Sequence, residues 1–187
     1  MSFFGMGKTE PVIITLSEPF KATGLVVKTD MKNVFGDVGK ILRAYMDYKN
    51  KYGIPNQKEP WEYVSLSKNF TGNQTWEYYT GHVVTDIGND VPGVFISFEA
   101  PAGTYAVFPI KSKFRFMLGL SIGKTKRYIY NHWLAESQYE FAGYEFEYNN
   151  EKMFKENPNF IDLYVGVKEK TSDERDGQFS SHLQHGT

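Results

Sequence analysis

The chain contains no cysteine among its 187 residues. This absence excludes a disulfide framework, a thiolate metal site and a cysteine nucleophile. Because a protein without cysteine suits a reducing environment, we expect a cytoplasmic protein. We also predict neither a metal site nor a cofactor.

Neither sign of charge is in excess, since 21 basic and 22 acidic residues are mixed along the chain. Such a chain has no broad field that would attract nucleic acid or an acidic membrane surface. It also lacks an apolar run of the roughly 18 residues that a membrane-spanning helix needs. We therefore expect no direct nucleic-acid binding and no membrane association.

Aromatic residues are abundant, with 13 Tyr and 15 Phe in a chain whose hydrophobic fraction is only 41%. A chain of this length can bury roughly 70% of its unfolded surface, so it can form a core without cross-links. Aromatic rings with a polar edge suit the wall of a cavity that is apolar and still able to hydrogen-bond. The composition therefore favours a small-molecule binding protein.

An internal repeat organises the middle of the chain. Four segments recur in the same order, each displaced by 81 to 84 residues: 22–27 with 103–108, 39–43 with 123–127, 61–63 with 144–146 and 78–84 with 161–167. This pattern predicts a tandem duplication, with repeat one at about 11–90 and repeat two at about 91–170. The ends, 1–10 and 171–187, are polar and lack periodicity, and we expect them to be disordered.

Each repeat is predicted to fold as a β-α-β-β unit. In the first, β-branched residues predict a strand over 11–31 that Pro19 interrupts, and apolar spacing predicts a helix from Asn33 to near Gly53. The other predicted elements are strands at 61–68 and 75–86, a strand at 94–109, a helix at 114–135, and strands at 143–149 and 160–168. Two joined units predict an α+β fold with a pseudo-twofold axis, in which two helices pack on a concave antiparallel sheet with a central ligand groove.

Four short motifs in the second repeat carry a resemblance to a known family: Gly103–Val107, Trp133–Ser137, Gly143–Tyr148 and Tyr164–Val167. In this order and spacing they resemble the gyrase-inhibitor-like, or AraC-type, effector-binding domain of bacterial transcription activators. The resemblance extends over nearly all of residues 11–170. Such domains often follow a DNA-binding helix-turn-helix module, for which the chain has no room before residue 11, so we expect a stand-alone domain.

The resemblance implies a set of ligand-binding residues. It places Glu147 in the cavity, where a buried carboxylate would pair with a ligand cation among aromatic rings. Tyr164 is expected beside it, with Tyr105 and Trp133 as ring walls. The repeat alignment gives Val64 as the counterpart of Glu147. The alternatives are an exposed strand glutamate and aromatic residues that merely fill the core.

Three functions remain open on the sequence alone. The first is a sensor or scavenger that binds amphipathic, aromatic or cationic molecules such as rhodamine or tetraphenylphosphonium. The second follows from the resemblance: a hydrolase of cyclopropane-type electrophiles with Glu147 and Tyr164 as catalytic residues. The third is a gyrase inhibitor, and a protein partner would then be gyrase or a transcriptional regulator.

Overall fold

The computed structural model describes residues 10–88 and 91–171. Most of the two ends that we expect to be disordered lies outside these residues. The strands are β1 (Val12–Leu16), β2 (Phe20–Asp30), β3 (Glu62–Lys68), β4 (Thr75–Val83), β5 (Ile96–Ala100), β6 (Gly103–Lys111), β7 (Tyr139–Asn150) and β8 (Phe160–Glu169). The helices are α1 (Val34–Tyr52), α2 (Leu118–Tyr128), α3 (Leu134–Glu136) and α4 (Glu151–Glu156). A 3-10 turn, Arg115–Met117, leads into α2, and a π turn, Ile129–Trp133, joins α2 to α3.

These strands form one antiparallel sheet in the order β1-β6-β8-β7-β3-β4-β2-β5. This order is symmetric about its centre. If β1 to β4 are replaced by β5 to β8, respectively, and the reverse, the same order is obtained when the sheet is read from its other edge. The first strand of each half pairs with the other half, since β1 pairs with β6 and β5 pairs with β2. The predicted α+β fold, with two related halves and two main helices on an antiparallel sheet, is confirmed.

Each half begins with two strands where the sequence predicts one. The strand predicted over 11–31 is divided between β1 and β2, with Pro19 in the gap, and the strand predicted over 94–109 is divided at Pro101. Proline cannot donate a ladder hydrogen bond, so it interrupts pairing at both places. The helix α4 was not predicted, and its first turn is capped by Asn150, whose side chain accepts a hydrogen bond from the Met153 amide at 2.8 Å.

The two faces of the sheet carry different cores. The first, here called the helix face, is covered by α1 and α2; its core residues include Trp76 and Tyr78 beneath α1 and Phe108 and Leu163 beneath α2. The second, here called the aromatic face, holds another buried cluster: Ala22, Val64, Leu66, Val83, Phe98, Ala100, Tyr105 and Phe146. Because successive side chains of a strand point to opposite faces, β2, β4, β6, β7 and β8 each contribute to the cores of both faces.

The sheet is curled, and ring contacts on the aromatic face show how far. Phe20 on β2 lies 5.9 Å from both Phe146 and Tyr148 on β7, measured between ring centroids. Two strands separate β2 from β7 in the sheet order. The rings therefore meet because the sheet bends around them. Among the described residues, no helix is long and apolar enough to span a lipid bilayer.

Candidate ligand-binding site

At the centre of the sheet the two halves meet where β3 pairs with β7. In this ladder Ser65 lies opposite Glu147 and Ser67 opposite Glu145. We call five helix-face residues of these two strands the central seam: Tyr63, Ser65, Ser67, Glu145 and Glu147. Since α1 lies over β2 and β4 and α2 over β6, the central seam runs between the two main helices.

Two carboxylates in the central seam share one ammonium group. The Nζ atom of Lys126 on α2 lies 2.8 Å from Oε1 of Glu145 and 2.9 Å from Oε1 of Glu147. The side chains are largely withdrawn from solvent, with 6% of Glu145, 14% of Glu147 and 25% of Lys126 exposed. Tyr130 donates a hydrogen bond to the second oxygen of Glu145 at 2.5 Å. The cluster therefore carries a net negative charge in a partly buried place.

The carboxylates decide the protonation of Lys126. Burial by itself would lower the pKa of this ammonium group, but the charges and hydrogen bonds of Glu145 and Glu147 outweigh it and raise the pKa above its ordinary value. For the Tyr130 hydroxyl, burial has the opposite effect and raises the pKa, and the charge of Glu145 also raises it. At neutral pH Lys126 is thus a cation and Tyr130 a neutral donor.

Hydroxyl groups border the carboxylates on the side of the first half. Tyr63 and Ser65 both hydrogen-bond to Thr80, the latter at 3.2 Å. Burial, with the charge of Glu147, raises the pKa of Tyr63 to about 12, and the same two causes hold the pKa of Tyr78 well above its ordinary range. The two phenols therefore remain neutral donors near Glu147. The arrangement offers a ligand negative charge, hydroxyl groups and aromatic rings together.

The structure divides the four predicted site residues between the two faces. Glu147 lies on the helix face in the central seam. Trp133 is also on that face, but its ring packs 5.3 Å from Phe108 in the core beneath α2. Trp133 is thus part of the core rather than of the seam.

The other two predicted residues lie on the aromatic face. Tyr105 is fully buried, and its hydroxyl donates to the carbonyl of Pro101 at 2.5 Å. Tyr164 stacks on Phe146 with ring centroids 4.5 Å apart. The expectation that Glu147, Tyr164, Tyr105 and Trp133 line one pocket is therefore corrected: strand alternation puts Tyr164 beside Phe146 and on the opposite face from Glu147.

The repeat alignment is also corrected at this strand. Val64 is buried in the core of the aromatic face, whereas Glu147 is on the helix face, so the two are not equivalent. Ser65 pairs with Glu147 and shares its face. A shift of one residue exchanges the faces of an entire strand, and the sequence match was displaced by that single residue.

Sequence reasoning missed Glu145, Lys126 and Tyr130. The alternation of Glu145 and Glu147 within one predicted strand was a usable signal, since residues two apart share a face. Nothing in the sequence indicated that Lys126 on a separate element would lie between them.

A cavity of about 780 Å³ lies elsewhere, between α2, α4 and the ends of β6 and β8. Its lining includes Lys111, Lys124, Thr125, Met153 and Phe160, and none of the central-seam residues. The predicted central groove is therefore not the site of this open space. In the central seam, the side chains of Lys126 and Tyr130 lie against the carboxylates.

The curled two-part sheet, with two helices on one face and a polar seam between its halves, belongs to an effector-binding domain, as the family model that matches most of the chain shows. The resemblance found in the sequence is thus confirmed. Residues 13–167 match the family described as integron-associated effector binding protein, and the chain belongs to this family of effector-binding proteins. A comparison with curated proteins gave no match.

Solved structures agree with this fold at low sequence identity. An integron cassette protein from the mobile metagenome of Vibrio cholerae has a TM-score of 0.59 and 14% identity, and the match covers 85% of this chain and 96% of that one. The protein SAV2435, bound to tetraphenylphosphonium, has a TM-score of 0.65 and 11% identity, with coverage of 85% and 94%. The C-terminal domain of EcmrR has a TM-score of 0.56 and 11% identity, with coverage of 86% and 98%.

Proposed function

We propose that this effector-binding domain takes up amphipathic aromatic cations at the central seam, as a sensor or scavenger of such molecules. The observation that carries the proposal is the pair of carboxylates, Glu145 and Glu147, sharing the single ammonium of Lys126. Among the described residues no second cation forms an ion pair with either carboxylate. A partly buried excess of negative charge is costly unless a cation compensates it.

The surroundings of the pair suit a flat, apolar cation. The rings of Tyr63, Tyr78 and Tyr130 lie around the carboxylates, and aromatic faces attract cations through their quadrupoles. SAV2435, whose fold is similar, was solved with tetraphenylphosphonium, a lipophilic cation. By analogy, this ligand is a suitable first probe for the present chain.

Binding is favoured over hydrolysis on geometric grounds. The hydrolase hypothesis requires Glu147 and Tyr164 to act on one molecule, and the two side chains lie on opposite faces of the sheet. General acid–base catalysis needs both groups within hydrogen-bond reach of the substrate. Nothing in the comparisons favours a gyrase inhibitor.

The experiment is a calorimetric titration of the protein with tetraphenylphosphonium. We expect binding by the wild type and at least about tenfold weaker binding by the E145Q/E147Q double variant, because the variant lacks both charges. The matched control is E140Q, which makes the same change on β7 in a surface ion pair with Lys168. Absence of binding by the wild type, or equal binding by the double variant, refutes the proposal.

A further inference from the structure

We propose that Lys126 is a built-in occupant of the cation position and that a ligand binds by displacing its ammonium group from Glu145 and Glu147. This inference rests on the proposed function and specifies how the same site discriminates between ligands. It makes Lys126 a specificity-determining residue.

The geometry leaves one position for a cation. Lys126 Nζ is almost equidistant from the two carboxylates, at 2.8 and 2.9 Å, which are hydrogen-bond distances. Glu145 and Glu147 are two residues apart on one strand, so the point between them is where their attraction for a positive charge is greatest. A ligand cation and the Lys126 ammonium cannot both occupy it, because like charges at that separation repel strongly.

Lys126 is suited to leave this position. Its side chain is 25% exposed, more than that of either carboxylate, so its route to solvent is short. Lysine is a compact point charge on a flexible stem and lacks the rigid two-point fork of arginine. Displacement therefore requires rotation of one side chain and no movement of the sheet.

The charged group is confined to the second half of the chain. The repeat alignment that equates Gly39 with Gly123 and Arg43 with Arg127 equates Leu42 with Lys126. On the facing strand, Ser65 of the first half lies opposite Glu147. The first half thus has neither the cation nor a carboxylate at these positions.

Exchange with Lys126 favours ligand cations that have a large apolar surface. When one cation replaces another at the same carboxylates, the loss of the Lys126 ion pairs offsets part of the electrostatic gain of the ligand. The difference in affinity between ligand cations then comes from the apolar and aromatic area that each ligand buries and the lysine head group does not. A small hydrophilic ammonium ion gains little by the exchange, whereas an aromatic cation gains its whole ring contact.

The test compares K126M with wild type in titrations with tetraphenylphosphonium and with tetramethylammonium. Methionine keeps the length of the side chain without its charge, so both cations should bind K126M at least about tenfold more tightly than wild type. The matched control is K124M, which removes an exposed lysine from the same helix and should bind as wild type does. Unchanged or weaker binding by K126M overturns displacement.

A second measurement on the wild type does not depend on how well K126M folds. In protein labelled with ¹³C at the lysine Cε positions, the Lys126 signal, assigned with K126R, should move toward the position of a solvated lysine on saturation with tetraphenylphosphonium. A bound complex in which that signal stays unmoved overturns displacement and leaves the proposed function intact. If the wild type does not bind the cation, the proposed function itself fails.

Discussion

Glu147 and Tyr164 lie on adjacent strands and project to opposite faces of the sheet. In the ladder between β7 and β8, Tyr164 pairs with Phe146 and Glu147 pairs with Leu163. Glu147 consequently reaches Lys126 on α2, while the ring of Tyr164 stacks on Phe146 in the other core. Two residues that the family resemblance brings together thus belong to different parts of the molecule.

Substitution of Tyr164 separates the two faces experimentally. Y164F should leave tetraphenylphosphonium affinity within about twofold of wild type, because the Tyr164 hydroxyl is on the face away from the carboxylates. Y164A should lower the free energy of unfolding by about 2–3 kcal/mol through loss of the stack on Phe146. Calorimetric titration and urea denaturation measure the two effects. Loss of cation binding in Y164F would place the ligand on the aromatic face.

The charge of the ligand should contribute to its binding at the central seam. Triphenylphosphine oxide is a neutral molecule with rings like those of tetraphenylphosphonium, and we expect the wild type to bind it at least about tenfold more weakly. In the E145Q/E147Q variant the two affinities should converge, because the carboxylates that favour the cation are gone. An undiminished preference for the cation in that variant would mean that other groups recognise its charge.

Protonation of His82 should make the protein less stable in acid. Its ring is buried, with Nδ1 2.6 Å from the Tyr45 hydroxyl and Nε2 3.0 Å from Lys49 Nζ. Burial, and then the charge of Lys49, lower the pKa of His82 to about 3. In the unfolded chain this group titrates near its ordinary value, so between pH 6.5 and 3 the unfolded state binds more protons.

This imbalance predicts the sign of the effect. The contribution of His82 to stability is complete above pH 6.5 and is lost as the pH falls, by at most about 1.4 kcal/mol per pH unit for one proton. Urea denaturation from pH 7.5 to 4.5 should show this slope in wild type and a reduced slope in H82Q. H132Q, at an exposed position, is the control and should follow the wild type. Equal slopes in wild type and H82Q would contradict the assignment.

Two glycine substitutions should have opposite effects. In the pairing of β2 with β4, Gly24 lies opposite Gly81, and a Cβ at Gly24 would be 1.8 Å from the carbonyl oxygen of Thr80. G24A should therefore cost about 3 kcal/mol, since the strands must separate. A Cβ at Gly123 in α2 meets nothing within 4 Å, and G123A should stabilise by about 1 kcal/mol. Thermal or urea unfolding of both variants checks the pair.

The spacing of apolar residues, with glycine and proline at the ends of segments, was sufficient to predict most elements. The helix predicted from Asn33 to near Gly53 is α1, Val34–Tyr52, and the strand predicted over 61–68 is β3 within one residue. These succeed because local apolar spacing and glycine or proline at the ends mark an element directly. Pro19 also predicted an interruption of the first strand. In the structure this interruption separates β1 from β2, which pair with different strands.

The face of each strand could not be predicted in the same way. Each face of β7 carries both polar and apolar side chains. The residue types therefore do not indicate which face Glu147 is on and which face Tyr148 is on. Near Gly143, whose φ is 90°, the pairing of β7 with β8 shifts between Phe141 and Glu145. Register depends on this irregularity and on tertiary contacts, and a displacement of one residue moved Glu147 to the wrong counterpart.

The exchange of first strands between the halves has a consequence for unfolding. A fragment ending near residue 88 would keep β1 but not its partner β6, and would expose the edge of β2 that β5 now covers. Each half thus completes the hydrogen bonding of the other, and neither is a self-sufficient folding unit. The two halves should melt in a single cooperative transition, and a ligand held at their junction would raise the melting temperature of both together.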